Sequence, residues 1–157
     1  MKLSILCRSL LLAVALSSVV IASDTTQLGK GSQNRERMRQ PVALAYSPES
    51  EVLLVGNRKT GSVSVVDTSS GDIVQELSCG KSLTDVCFLD AERVLVLDAG
   101  KHQLLEFAFN KKQFTKKLRT IEVPAYPEQL AVVPALNQVW LTSRWSRRVT
   151  CFDDSLD

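Results

Sequence analysis

The sequence predicts an all-β fold: β-propeller-type repeats of four-stranded antiparallel blades, set in an incomplete ring. Three observations predict it. Short apolar runs with period-two alternation recur from Pro41 onward, as in Ser62-Val63-Ser64-Val65-Val66, the mark of a half-buried strand. Polar turn clusters separate the runs, as in Asp67-Thr68-Ser69-Ser70-Gly71-Asp72, where Gly71 is free to take a positive φ. The pattern also repeats. Pro41-Val42-Ala43-Leu44-Ala45-Tyr46-Ser47-Pro48 matches Pro127-Glu128-Gln129-Leu130-Ala131-Val132-Val133-Pro134 without a gap, 86 residues further on.

Taken in order, the chain begins with Met1 to Ala22, which reads as a secretory signal peptide. Lys2 and Arg8 supply a positive start, Leu10 to Ile21 an apolar stretch, and Val20 and Ala22 stand third and first before a cut ahead of Ser23. The apolar stretch falls short of the roughly 20 residues a spanning helix needs, so no membrane span is expected after cleavage. Localisation is therefore expected to be exported, periplasmic or extracellular. Residues 23–40 form a polar leader without apolar periodicity.

From Pro41 the first unit places strands at Val42–Tyr46, Val52–Val55, Ser62–Val66 and Ile73–Cys79. A shift of 42 residues sets Leu44 on Val86, Leu53 on Leu95, Val55 on Leu97, and Val63 and Val65 on Leu105 and Phe107. The second unit then has strands at Asp85–Leu89, Val94–Leu97, Leu104–Phe109 and Lys117–Val123. A third has Gln129–Val133, Gln138–Thr142 and Val149–Phe152. Four short strands every 40-odd residues is the blade unit of a propeller. The expected division is blade 1 over 41–82, blade 2 over 83–126 and an incomplete blade 3 over 127–157. Pro, Gly and β-branched content argue against a helical repeat of similar length.

Three segments carry a resemblance: Pro41 to Pro48, Val55-Gly56-Asn57-Arg58, and Gly61-Ser62-Val63-Ser64-Val65-Val66-Asp67. They resemble the "P-x-x-hydrophobic-A-x-S-P", "V-x-N" and "G-S-V-S-V-hydrophobic-D" elements of the YVTN/NHL-like family of bacterial β-propellers. The second unit departs from the pattern, with Asp90 in place of the Pro and Phe109 in place of the terminal Asp. The resemblance covers Pro41 to Asp153 and implies a propeller fold. It also implies a context, because such propellers often precede c-type cytochrome domains in exported redox proteins, and relatives include sugar lactonases and quinone-dependent dehydrogenases.

Propellers close with four to eight blades, so two blades and three strands raise the question of the remainder. Three expectations compete: a fragment of a longer propeller, a ring completed by self-association, or a small irregular β-domain.

Composition bounds the function. Hydrophobic content is 45% and charged content 23%, which is globular. Beyond Ala22 the chain holds 17 basic and 17 acidic residues, so nothing in bulk charge points to nucleic acid. Cys79, Cys87 and Cys151 fall on apolar counterparts and read as core fillers. There is no CxxC, no haem-attachment motif and no phosphate loop. His102 is the sole histidine. No catalytic residue, metal or cofactor is expected. Asp67 and Asp153 read as caps of their own turns, and the lysines after Asn110 (Lys111, Lys112, Lys116, Lys117) as a solvated hairpin tip.

The loops between second and third strands share one face of a propeller with the crossovers Gly80–Leu83 and Ala125–Pro127. That gathers Arg58, Lys59, Lys101, His102, Arg144, Arg147 and Arg148 on one rim, with Tyr126 and Trp145 nearby and Asp98 diluting the charge. Loops on a rigid scaffold are where binding resides, and Arg with aromatic residues is the composition of binding hot spots. The expected function is an exported, non-catalytic scaffold whose rim docks a protein partner or an anionic ligand, and the resemblance implies that it is one piece of a larger exported, cytochrome-associated protein. The alternative is a lactonase-like or quinone-dependent dehydrogenase-like enzyme segment using Asp85, Glu128 and Gln129, and a further option is a gene remnant without function.

Overall fold

The structure is a computed structural model that describes residues 39–153 and 155–156. The expected signal peptide, and the leader up to residue 38, lie outside the described residues. Three antiparallel sheets hold β1 (Pro41–Ser47), β2 (Val52–Asn57), β3 (Ser62–Asp67) and β4 (Ile73–Ser78); β5 (Leu83–Phe88), β6 (Arg93–Asp98), β7 (Gln103–Asn110) and β8 (Gln113–Glu122); and β9 (Pro127–Val133), β10 (Gln138–Ser143) and β11 (Arg148–Asp153). Strands pair with their neighbours in sequence order within each sheet. All eleven expected strands are present. The largest difference is β8, which starts four residues earlier because Asn110 pairs with Gln113 across a two-residue turn. Lys111 (φ 48°) and Lys112 (φ 63°) are both left-handed there, the backbone that a tight hairpin of this twist requires.

The sheets stack face to face in an arc, with β1 packed against β5 and β5 against β9. Antiparallel pairing puts directly opposed residues on one face. Leu54, opposite Val65 and Ala45, faces the second sheet together with Val52 and Val63. Val86, Val94, Val96, Leu105, Phe107, Phe109 and Phe114 meet them from the second sheet. Three edge-to-face ring pairs among Phe88, Phe107, Phe109 and Phe114, with centroids 5.3–5.6 Å apart, close the base of that core. The other face of the second sheet presents Leu95, Leu97 and Leu104 to Val139, Leu141 and Leu156. Each fully buried Leu or Val contributes about 1.5–3 kcal/mol, so the second sheet, covered on both faces, is the anchor of the arc.

The second unit corrects the ungapped alignment. Its first strand keeps the 42-residue step, with Ala43 opposite Gly56 as Asp85 is opposite Leu97. The turn into β6 is one residue shorter, so from there Leu54, Val63 and Val65 correspond to Leu95, Leu104 and Glu106, and Asp67 to Ala108 rather than Phe109. A one-residue slip exchanges the two faces of a strand. Glu106 thus occupies a core position, 1% exposed, where Arg93 (3.5 Å) and Arg119 (3.0 Å) neutralise it. The Arg119 guanidinium also donates to the carbonyl oxygen of Ser155, in the turn after β11.

Side chains continue the hydrogen bonding between sheets. Gln75 on β4 donates to the Phe114 carbonyl oxygen and accepts from its N–H (3.3 and 2.7 Å). Lys112 reaches Asp67 at 2.7 Å, so it is an inter-sheet bridge and not a solvated tip, while Lys116 and Lys117 lie in β8. Asp67 accepts from the Ser69 N–H and hydroxyl (2.9 and 2.5 Å), and Asp153 from the Ser155 hydroxyl (2.5 Å), which are the expected turn caps. Cys79, Cys87 and Cys151 are free thiols. Cys79 and Cys87 pack against the two cores. Cys151 does not: it is exposed on β11, on the face of the third sheet turned away from the second, which nothing among the described residues covers.

Candidate functional site

The three loops joining second to third strands are built to one plan. Arg58 donates its backbone N–H to the Gln40 carbonyl oxygen (2.9 Å), Ala99 to Ser82 (2.9 Å) and Arg144 to Tyr126 (3.1 Å). Each loop is thereby tied to the segment that leads into the first strand of its own sheet. The last residue of each second strand is a buried polar group: Asn57, Asp98 and Ser143. Asp98 accepts from the backbone N–H groups of Lys81 (2.8 Å), Ser82 (2.9 Å) and Gly100 (2.9 Å), and Ser143 donates to the Pro124 carbonyl oxygen (3.3 Å). Asp98 is therefore a buried brace for the crossover and not a rim charge. Gly61, His102 and Arg147 close the loops with φ of 61°, 55° and 52°. A Cβ at Gly61 would lie 2.1 Å from the Gly80 carbonyl oxygen, so only glycine fits there, whereas the later loops leave room for His102 and Arg147.

Over the upper ends of β5 and β9 these loops enclose a hollow of about 240 Å³, lined by Arg58 from the first sheet and by Tyr126, Glu128, Arg144 and Trp145 of the third, with Ser82, Thr84, Ala99 and Pro127 as its floor and wall. His102, Tyr126 and Trp145 form a row of tilted rings with centroids 5.4 and 5.7 Å apart. Tyr126 is held in the row by a left-handed backbone (φ 55°) before Pro127. Arg144 pairs with Glu128 at 3.5 Å across an exposed gap. Four of the nine sequence-derived rim residues, Arg58, Tyr126, Arg144 and Trp145, therefore line one hollow, and His102 stacks beside it. Lys59, Lys101, Arg147 and Arg148 are exposed and are not among its lining residues. Thr84 and Glu128 were not expected in a binding rim. Their place at the start of a first strand, just after a crossover, is the signal that could have found them.

Asp85 sits below, on the first strand of the second sheet. Its carboxylate accepts from the Leu130 N–H (2.7 Å) and from its own neighbour Val86 (2.9 Å), joining β5 to β9. Burial pushes its pKa up, opposed by those two hydrogen bonds. Burial also pushes the Cys79 and Cys87 thiols up to about 12, with the Asp98 and Asp85 carboxylates adding to the shift. Neither thiol is a nucleophile at neutral pH. Among the described residues no group of three or more His, Cys, Asp or Glu is placed to hold a metal ion.

Solved structures with a similar fold include the hydrazine synthase of Kuenenia stuttgartiensis (TM-score 0.67, 16% identity, 81% of this chain and 36% of that one). They also include a putative 6-phosphogluconolactonase from Bacteroides fragilis NCTC 9343 (TM-score 0.68, 14% identity, 75% and 36%) and the dihydro-heme d1 dehydrogenase NirN (TM-score 0.60, 20% identity, 73% and 26%). The fold is an unclosed β-propeller. At these identities the likeness is one of fold alone, and the chain spans about a third of the length of the first two structures and about a quarter of the third. No family model and no curated protein matches the sequence.

Proposed function

We propose that this chain is a non-catalytic propeller scaffold of the YVTN/NHL-like kind that docks an anionic group, carried by a ligand or a partner protein, in the rim hollow. The observation that carries the reading is the convergence of Arg58 from the first sheet with Arg144, Tyr126 and Trp145 of the third around one concave site. Two guanidinium groups offer paired donors to a carboxylate or phosphate, and the rings supply apolar contact area beside them. The Arg144–Glu128 pair is exposed on both sides. Such a pair is worth little in water, so an incoming carboxylate can replace Glu128 at small cost. Of the groups named for the enzyme alternative, Asp85 is engaged by two backbone N–H groups, Glu128 is held only by its exposed pair with Arg144, and Gln129 does not line the hollow.

Trp145 makes the reading measurable. Titration with a short Asp/Glu peptide is expected to give a saturable change in tryptophan fluorescence that disappears in Trp145→Phe. Affinity should fall about tenfold in Arg58→Glu or Arg144→Glu and weaken with added salt, as for solvent-exposed charge. A flat titration, or full affinity in both variants, would overturn the reading. The proposal extends to export: expression with the complete leader is expected to yield a periplasmic chain starting at Ser23, and an uncleaved cytosolic chain would count against it.

A further inference from the structure

Two sheet faces have no covering sheet among the described residues, and they are the two halves of one repeating interface. On β9–β11 the face turned away from the second sheet carries Ala131, Trp140 (39% exposed), Val149 (64%) and Cys151. These residues correspond to Ala45, Leu54, Val63 and Val65, which pack into the core between the first two sheets. On β1–β4 the opposite face carries Leu44 (66% exposed) and Tyr46 (57%), with Leu53, Val55 and Val66 half-buried. These correspond to Val86, Phe88, Val94, Val96 and Phe107, which meet the first sheet in that same core.

We propose that the two faces dock on each other between two copies of this chain, joining two three-sheet arcs head to tail into a six-bladed ring. The occupant follows from continuity. The interface between the first and second sheets pairs one face type with the other, and the chain's own first sheet presents the uncovered counterpart of what its third sheet lacks. The polar ends also correspond. Asn57, Ser62, Ser64 and Glu76 form a hydrogen-bonded network at the rim end of the first sheet's open face, with Arg39 reaching Glu76 at 2.9 Å. Gln129 and Thr142 stand opposite each other at the rim end of the third sheet's open face. The apolar residues lie lower on both. Six blades fall within the range over which propellers close, and head-to-tail contacts stay finite when the rotation closes.

Sedimentation of the chain from residue 23 to 157, without the expected signal peptide, in reducing buffer from low to high micromolar concentration tests this. A single species of twice the chain mass, dissociating on dilution, is expected. A monomer at every concentration would assign the faces to further blades of a longer chain and overturn the proposal, as would an open-ended series of larger species. Leu44→Asp and Trp140→Asp each place a charge in both interfaces of the ring, and each should raise the dissociation constant about a hundredfold or more. Mixing the two variants regenerates one interface free of substitutions, so the mixture should recover dimer that neither forms alone. Failure to recover it with both variants folded by circular dichroism would overturn the proposal. Should a variant fail to fold, the unsubstituted chain still decides. Alkylation of Cys151 should slow as protein concentration rises, and a rate independent of concentration would sink the dimer.

Discussion

At the scale of single residues, backbone conformation and burial decide what each side chain can do. Gly61 shares its left-handed turn position with His102 and Arg147, yet it alone is pressed against the Gly80 carbonyl. Gly61→Ala combines a positive φ with a backbone clash and should cost about 3 kcal/mol or more, read as a lower urea midpoint; an unchanged midpoint would mean that the crossover can move aside. The cysteines separate in the same way. With Cys79 and Cys87 pushed to about 12 by burial and Cys151 exposed, iodoacetamide at neutral pH and high dilution should label Cys151 first. Labelling of the other two should wait for denaturant, as peptide mass spectrometry can follow. Cys151 reads as a core filler in the sequence because its counterpart Val65 is apolar; Val65 is buried, whereas the structure leaves Cys151 exposed. Matching types of residue reveals which face a position belongs to, but not whether anything covers that face.

Among elements, the ties between sheets are as informative as the strands. Asp67 ends β3 and bridges to Lys112 in the turn before β8. The Lys112 hydrogen bond, followed by those from Ser69, holds its carboxyl well below the usual carboxylate range. A carboxylate lowered on folding adds stability that is complete above its unfolded pKa, near 4, and is lost as pH falls through the folded value. Wild type and Lys112→Ala should therefore differ in urea midpoint at pH 6 and converge toward pH 2. An equal difference at both pH values would show that the bridge is not the source. The strands themselves were legible because Val63/Val65 and Ser62/Ser64 alternate cleanly. The register of the second unit was not. Leu105, Phe107 and Phe109 alternate with Glu106 and Ala108, but this apolar side faces the first sheet, whereas Val63 and Val65 face the second, so matching apolar residues aligned opposite faces.

For the whole molecule, burial is graded along the arc. The second sheet is covered on both sides, and its β6 carries five consecutive buried residues, Val94 to Asp98. Opening free energies follow burial and hydrogen bonding. Amide exchange is therefore expected to be slowest in β6 and β7 and fastest in β4 and β11, the outer strands of the two flanking sheets. Slower exchange in β11 than in β6 under dilute conditions would contradict the described packing. The rim belongs to this scale too. Arg58 and Trp145 are 87 positions apart in the chain, and only stacking of three sheets in an arc places both on one hollow.

Strand positions, turn positions, the repeat of four-stranded units and the shared side of the β2–β3-type loops follow from local alternation and from the 86-residue match, because a strand's period of two is written into each short segment. The face each residue of the second unit presents, the burial of Glu106 and Asp98, and the choice of four rim residues around the hollow are decided only by the assembled sheets. A one-residue difference in a turn reverses a strand's two faces, and a charge reads as surface in a sequence until its hydrogen-bond partners are in place.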